Sequence, residues 1–218
     1  HPEVSTLPSI YLSEYFDHLT WERIISDGWS QMADQFIAMY DVIFDARSKV
    51  PVQTKSQKLL YDIGLKEGMA NVGDQRGEVL RVDKGIFRTE MQRLMSFYDQ
   101  LDALLFFKLV HGAYGKAISD IHQKSLIFYH IHNPDIHTQL NFVRLAPEAN
   151  WVMMVREPVQ SCESWLRLSL EQNEYTSGMT KIRAMLFDID TAIYHKKNSI
   201  GVRLEDLKER PRQTIPAL

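Results

Sequence analysis

An α/β fold, with a mainly parallel sheet flanked by helices on both faces, is predicted by three features of the chain. Two short apolar runs, at 125–131 and 151–155, are each followed by a segment of helical period, and a third run at 200–204 follows two further helical stretches. Strands separated by helices of this length pair parallel through right-handed crossovers. The sequence has neither an internal repeat nor a separating linker, and 218 residues suit one domain, 1–218. A chain of this size buries about 70% of its unfolded surface, so no disulfide or metal staple is required.

The elements follow in order. Trp21, Ile24, Ile25, Trp29, Met32, Phe36, Tyr40 and Ile43 recur every three to four residues, which predicts amphipathic helix over 20–48, closed by Pro51. The aromatic residues of that stripe read as core packing. A second helix is expected over 54–70, and 71–84, with Gly73, Gly77 and charges in no period, reads as a loop. Met91, Leu94, Tyr98, Leu101, Leu105 and Leu109 predict one long core helix over 89–117. Within it, His111-Gly112-Ala113-Tyr114-Gly115-Lys116 lacks the Gly-x4-Gly-Lys-Ser/Thr spacing of a phosphate loop and is set aside.

The run Ser125-Leu126-Ile127-Phe128-Tyr129-His130-Ile131, ended by Asn133-Pro134, predicts a buried strand, with helix over 135–146. Trp151-Val152-Met153-Met154-Val155 predicts a second buried strand, and Pro158 suits the first turn of the helix after it. Ile182, Met185, Leu186, Ile189 and Ile193 mark another helix before the strand Ile200-Gly201-Val202-Arg203-Leu204. The mixed charges over 205–212 make a solvated helix face.

Composition narrows the function. A net charge of −3 supplies no general attraction to phosphate backbones or anionic lipid, so no nucleic-acid partner is expected and any anion site must be local. No apolar run reaches the length of a membrane segment. Cys162 is the only cysteine, which removes intrachain disulfides and cysteine-cluster metal sites and suits a reducing, cytoplasmic setting. Asp188 and Asp190 point different ways on a helix, so no metal site is expected.

Open parallel sheets bind ligands beyond the carboxyl ends of their strands. Arg156 ends the second strand in Val155-Arg156-Glu157-Pro158, and the helix that follows offers free N–H groups and a positive dipole end. Ser164, two turns in, adds a hydroxyl, so the pair has the donors for a phosphate dianion. The competing reading is a surface ion pair between Arg156 and Glu157.

Val155-Arg156-Glu157-Pro158 with Ser164 eight positions after the arginine resembles the 3′-phosphate-binding motif of sulfotransferases that use 3′-phosphoadenosine 5′-phosphosulfate (PAPS). Val202-Arg203-Leu204-Glu205-Asp206-Leu207-Lys208-Glu209-Arg210-Pro211 resembles that family's later Tyr-Glu-Asp-Leu-then-Pro segment, with Leu204 in place of the tyrosine. The resemblance covers 124–218, and His1-Pro2-Glu3-Val4 echoes the His-Pro that often follows the family's first helix. It implies a three-layer, P-loop-like sulfotransferase fold. It also implies sulfuryl transfer from PAPS to a hydroxyl or amine acceptor, leaving 3′-phosphoadenosine 5′-phosphate (PAP), with Arg156 and Ser164 holding the 3′-phosphate.

In the same light His132, before Pro134, falls on the family's catalytic histidine or on the lysine two residues earlier, and is the candidate general base. Local hydrogen bonding of His130 and His132, or a two-ligand metal contact, are the other readings. The family's phosphosulfate-binding loop, expected just before His1, and the C-terminal basic-glycine loop of its cytosolic class are both missing, so the resemblance implies truncation at both ends. Without the first loop, transfer is expected to fail. The alternatives are a nucleotide-dependent phosphotransferase on a related fold and a noncatalytic nucleotide-binding or interaction module; the acceptor's class is unassigned.

Overall fold

Aspartate caps open three helices in the first part of the chain. The computed structural model describes residues 2–8, 12, 14–53, 58–61, 63–66, 69–131, 136–171, 173–189 and 198–217. The chain divides into two compact units, His1–Leu145 and Ala146–Leu218. In the first unit, β1 (Val4–Thr6) precedes α1 (His18–Ile25), whose N-cap Asp17 accepts the Leu19 N–H at 2.8 Å. Next come α2 (Met32–Met39), the antiparallel hairpin of β2 (Val50–Gln53) and β3 (Lys58–Tyr61), and the single turn α3 (Ile63–Lys66). Asp83 opens α4 (Lys84–Met95) by accepting the Gly85 and Ile86 N–H groups, and Asp102 opens α5 (Ala103–Ala117) by accepting that of Leu105. The unit ends with β4 (Leu126–Phe128) and α6 (Ile136–Leu145).

Its core is aromatic. Phe36 and Phe106 are fully buried and meet edge to face at 6.1 Å, Phe44 packs on Phe87 at 4.8 Å, and Tyr15 contacts Phe107 at 4.8 Å. Buried phenols find partners: Tyr15 donates to the Ala103 carbonyl at 3.0 Å and Tyr114 to that of Ile43 at 2.7 Å. β1 and β4 pair parallel, Val4 opposite Leu126, and Ser5 ties the pair to α5 through His111.

In the second unit, β5 (Trp151–Val155) leads into α7 (Pro158–Glu171), which forms a helical hairpin with α8 (Tyr175–Ile189). A Cβ at Gly178 would lie 2.8 Å from Ser169 Oγ, so only glycine permits this approach of the two helices. β6 (Ser199–Arg203) returns to pair parallel with β5, Trp151 opposite Ser199 and Val155 opposite Arg203. The short helices α9 (Leu204–Glu209) and α10 (Pro211–Thr214) follow.

The chain is thus mixed α/β and rich in helix, and from 125 onward the predicted succession of strands and helices is the one found; in place of one mainly parallel sheet, the described residues form three two-stranded sheets, two parallel and one antiparallel. Five expectations are corrected. The helix expected over 20–48 is two, α1 and α2, because Gly28, at φ 84°, interrupts it. The helix expected over 54–70 is replaced in its described residues by β3 and the one-turn α3, because the short apolar run Leu59-Leu60-Tyr61 carries no periodicity that separates helix from strand. The long helix over 89–117 is two helices, since the Asp102 cap starts a second one after a break that leaves Tyr98 exposed. The runs at 125–131 and 151–155 form strands but not buried ones: Leu126 and Phe128 are 61% and 56% exposed, and Val152 and Met154 are 50% and 56% exposed. Each lies in a two-stranded sheet among the described residues, so its apolar side chains are not covered on both faces. Finally, Trp29 is exposed rather than core, while Phe36 and Tyr40 are buried as expected.

Candidate anion site at the ends of two parallel strands

The register of β5 on β6 puts Val155 beside Arg203, so the two sequence segments singled out above meet at the carboxyl ends of neighbouring strands. Arg156 follows Val155 directly and is exposed, with no hydrogen bond or ion pair to any described residue. Ser164 lies in α7, half-buried, and likewise has no side-chain hydrogen bond among the described residues. His132 lies outside the described residues.

Glu157 caps α7: its Oε2 accepts the Gln160 N–H at 2.7 Å, and its carbonyl accepts that of Ser161 at 3.0 Å. The ion pair with Arg156 entertained above is therefore not formed; the carboxylate serves the helix instead. The same contact corrects the expectation that the first-turn N–H groups stand open, because the Gln160 donor is already used. Helix and guanidinium do not act as one undivided cationic surface.

The expectation that the charges over 205–212 are solvated fails at Glu205, which is half-buried. Its Oε1 accepts the Glu157 backbone N–H at 3.0 Å, joining the turn after β5 to the first turn of α9. Its Oε2 is sheltered from solvent, accepts no hydrogen bond among the described residues, and faces Arg203 Nε at 3.9 Å. The Glu157 and Glu205 N–H groups, then Arg203 and Arg156, hold its carboxyl below the usual carboxylate range. The signal in the sequence was available: an acidic residue just past one strand end, where a parallel neighbour ends in Arg-Glu-Pro.

An open cleft of about 450 Å³ runs along β6 toward α10, lined by Gly201, Arg203, Asp206, Arg210, Gln213 and Thr214 among others. Asp206 and Arg210 pair across one helical turn, and Thr214 Oγ1 donates to the Asp206 carbonyl at 3.1 Å. A second polar pair, unforeseen from sequence, lies in the first unit, where Ser5 Oγ and His111 Nδ1 are 2.8 Å apart in the interior. Burial pulls the His111 pKa down to about 4. It sits against Phe107, and Nε2 has no partner among the described residues, which suits a structural tether rather than a catalytic base.

Among the described residues, no group of three or more His, Cys, Asp and Glu side chains is arranged to hold a metal ion. No helix among them is long and apolar enough to cross a membrane. In comparisons with known families, curated proteins and solved structures, nothing matches the chain.

Proposed function

We propose that the chain is a PAPS-dependent sulfotransferase unit of the three-layer, P-loop-like class, in which Arg156 and Ser164 hold the nucleotide's 3′-phosphate. The observation that carries this reading is the parallel β5–β6 pair. It joins Arg156-Glu157-Pro158 to Leu204-Glu205-Asp206-Leu207, the two motifs on which the resemblance rests, through a backbone-to-carboxylate hydrogen bond. An exposed guanidinium with no hydrogen bond or ion pair to any described residue, just past a strand end, has its paired donors available to a phosphate.

In the proposed reaction the acceptor's hydroxyl or amine attacks sulfur, the bond from sulfur to the bridging oxygen of the phosphosulfate breaks, and PAP leaves with that oxygen. His132 takes the acceptor's proton. Arg156 and Ser164 act at the far end of the nucleotide. They fix its position, which converts binding at the 3′-phosphate into alignment at sulfur.

Calorimetry with PAP tests this reading. Arg156→Ala should weaken PAP binding by about 2–4 kcal/mol, the cost of removing one partner of a desolvated charge pair. Unchanged affinity removes Arg156 from the site. Tight, magnesium-dependent binding of ATP with no response to PAP would assign the site to phosphoryl transfer instead.

A further inference from the structure

We infer that Glu205 is a positioning residue for this anion site: it clamps the turn after β5 through the Glu157 N–H and so fixes where Arg156 stands. The inference rests on the nucleotide-site reading above and adds a residue to it.

Three observations converge on this carboxylate. First, Oε1 accepts the Glu157 N–H at 3.0 Å, and that N–H belongs to the peptide unit joining Arg156 to Glu157. Fixing this peptide limits the backbone rotation that would swing the Arg156 side chain. Second, the contact spans two elements that the sequence separates by 48 residues, and the other link at this level is the β5–β6 ladder, which ends at Val155 and Arg203. Beyond that last rung Glu205 extends the connection into the loop. Third, Arg203, whose Nε lies 3.9 Å from Oε2, and Arg156 both favour the charged form of the carboxyl.

Two substitutions separate the hydrogen-bond acceptor from the charge. Glu205→Gln keeps an oxygen acceptor for the Glu157 N–H but removes the charge. Glu205→Ala removes both.

The experiment measures PAP affinity by calorimetry for the wild-type chain, Glu205→Gln, Glu205→Ala and Arg156→Ala, and follows the Glu157 amide of each by ¹⁵N-resolved NMR hydrogen exchange. Glu205→Ala should weaken PAP roughly 10- to 100-fold and speed Glu157 amide exchange, while Glu205→Gln should restore most of the affinity and the slow exchange. Rescue by glutamine distinguishes positioning from a general loss of packing. If Arg156→Ala loses PAP but Glu205→Ala binds it like wild type, the clamp is overturned and the nucleotide site stands. If wild type ignores PAP, the nucleotide reading falls, and an unaltered Glu157 amide in Glu205→Ala would overturn the clamp as well.

Discussion

His111 shows how a single side chain records its surroundings. Only 4% of its surface is exposed, Ser5 is its hydrogen-bonding partner, and burial lowers its pKa from 6.5 to about 4. Between those two values an unfolded chain binds a proton that the folded one refuses, so stability is full above about pH 6.5 and falls as the pH drops toward 4. A difference of that size corresponds to about 3 kcal/mol. Urea unfolding at pH 7 and pH 4.5 should show a large loss in the wild-type chain and a distinctly smaller one in His111→Leu. Equal losses in the two proteins would mean that the imidazole stays neutral for no energetic reason of its own. Nothing in the sequence marks this histidine: it sits in a helix beside two glycines, and its partner lies 106 residues away.

At the scale of elements, local caps outweigh periodicity. The apolar stripe from Met91 to Leu109 reads as one helix because residues on either side of the break happen to fall in register. Asp102, in extended conformation with its carboxylate on the Leu105 N–H at 2.7 Å, restarts the helix there. Asp102→Ala should therefore cost about 1 kcal/mol in thermal or urea unfolding, as for other N-caps, whereas Asp99→Ala, in the loop, should cost much less. Equal effects would deny the cap its role. The turn into α7 was easier to foresee, since Pro158 lacks the N–H that a first helical turn leaves unpaired and has the φ that the turn needs. Glu157 was not, because the same carboxylate had two possible partners, Arg156 or the helix, and only coordinates show that it chose Gln160. The β2–β3 hairpin escaped notice for a different reason: its strands are four residues each, too short for alternation to outvote a helical period.

Across the whole molecule, apolar burial is uneven. The buried aromatic and aliphatic core runs from Leu12 to Tyr114 in the first unit, while in the second Val202 is the buried apolar residue among those described. The succession of strands and helices in the second half was legible, as was the parallel β5–β6 pair, because strands joined through helices pair parallel. The pairing of β1 with β4 was not, because it joins segments more than 120 residues apart through three residues each. Arg156 and Ser164 could be singled out because their motif lies on one short segment, and their role is a proposal. The Glu205 contact was harder to see, because Glu205 lies in α9, beyond the end of the neighbouring strand. Recognition of a 3′-phosphate by the β5–β6 strand ends is the central proposal. Its most direct test is a calorimetric comparison of PAP with adenosine 5′-phosphate, which lacks only that group. PAP should bind at least ~30-fold more tightly, the equivalent of about 2 kcal/mol, and equal affinities, or no binding of either, would contradict it.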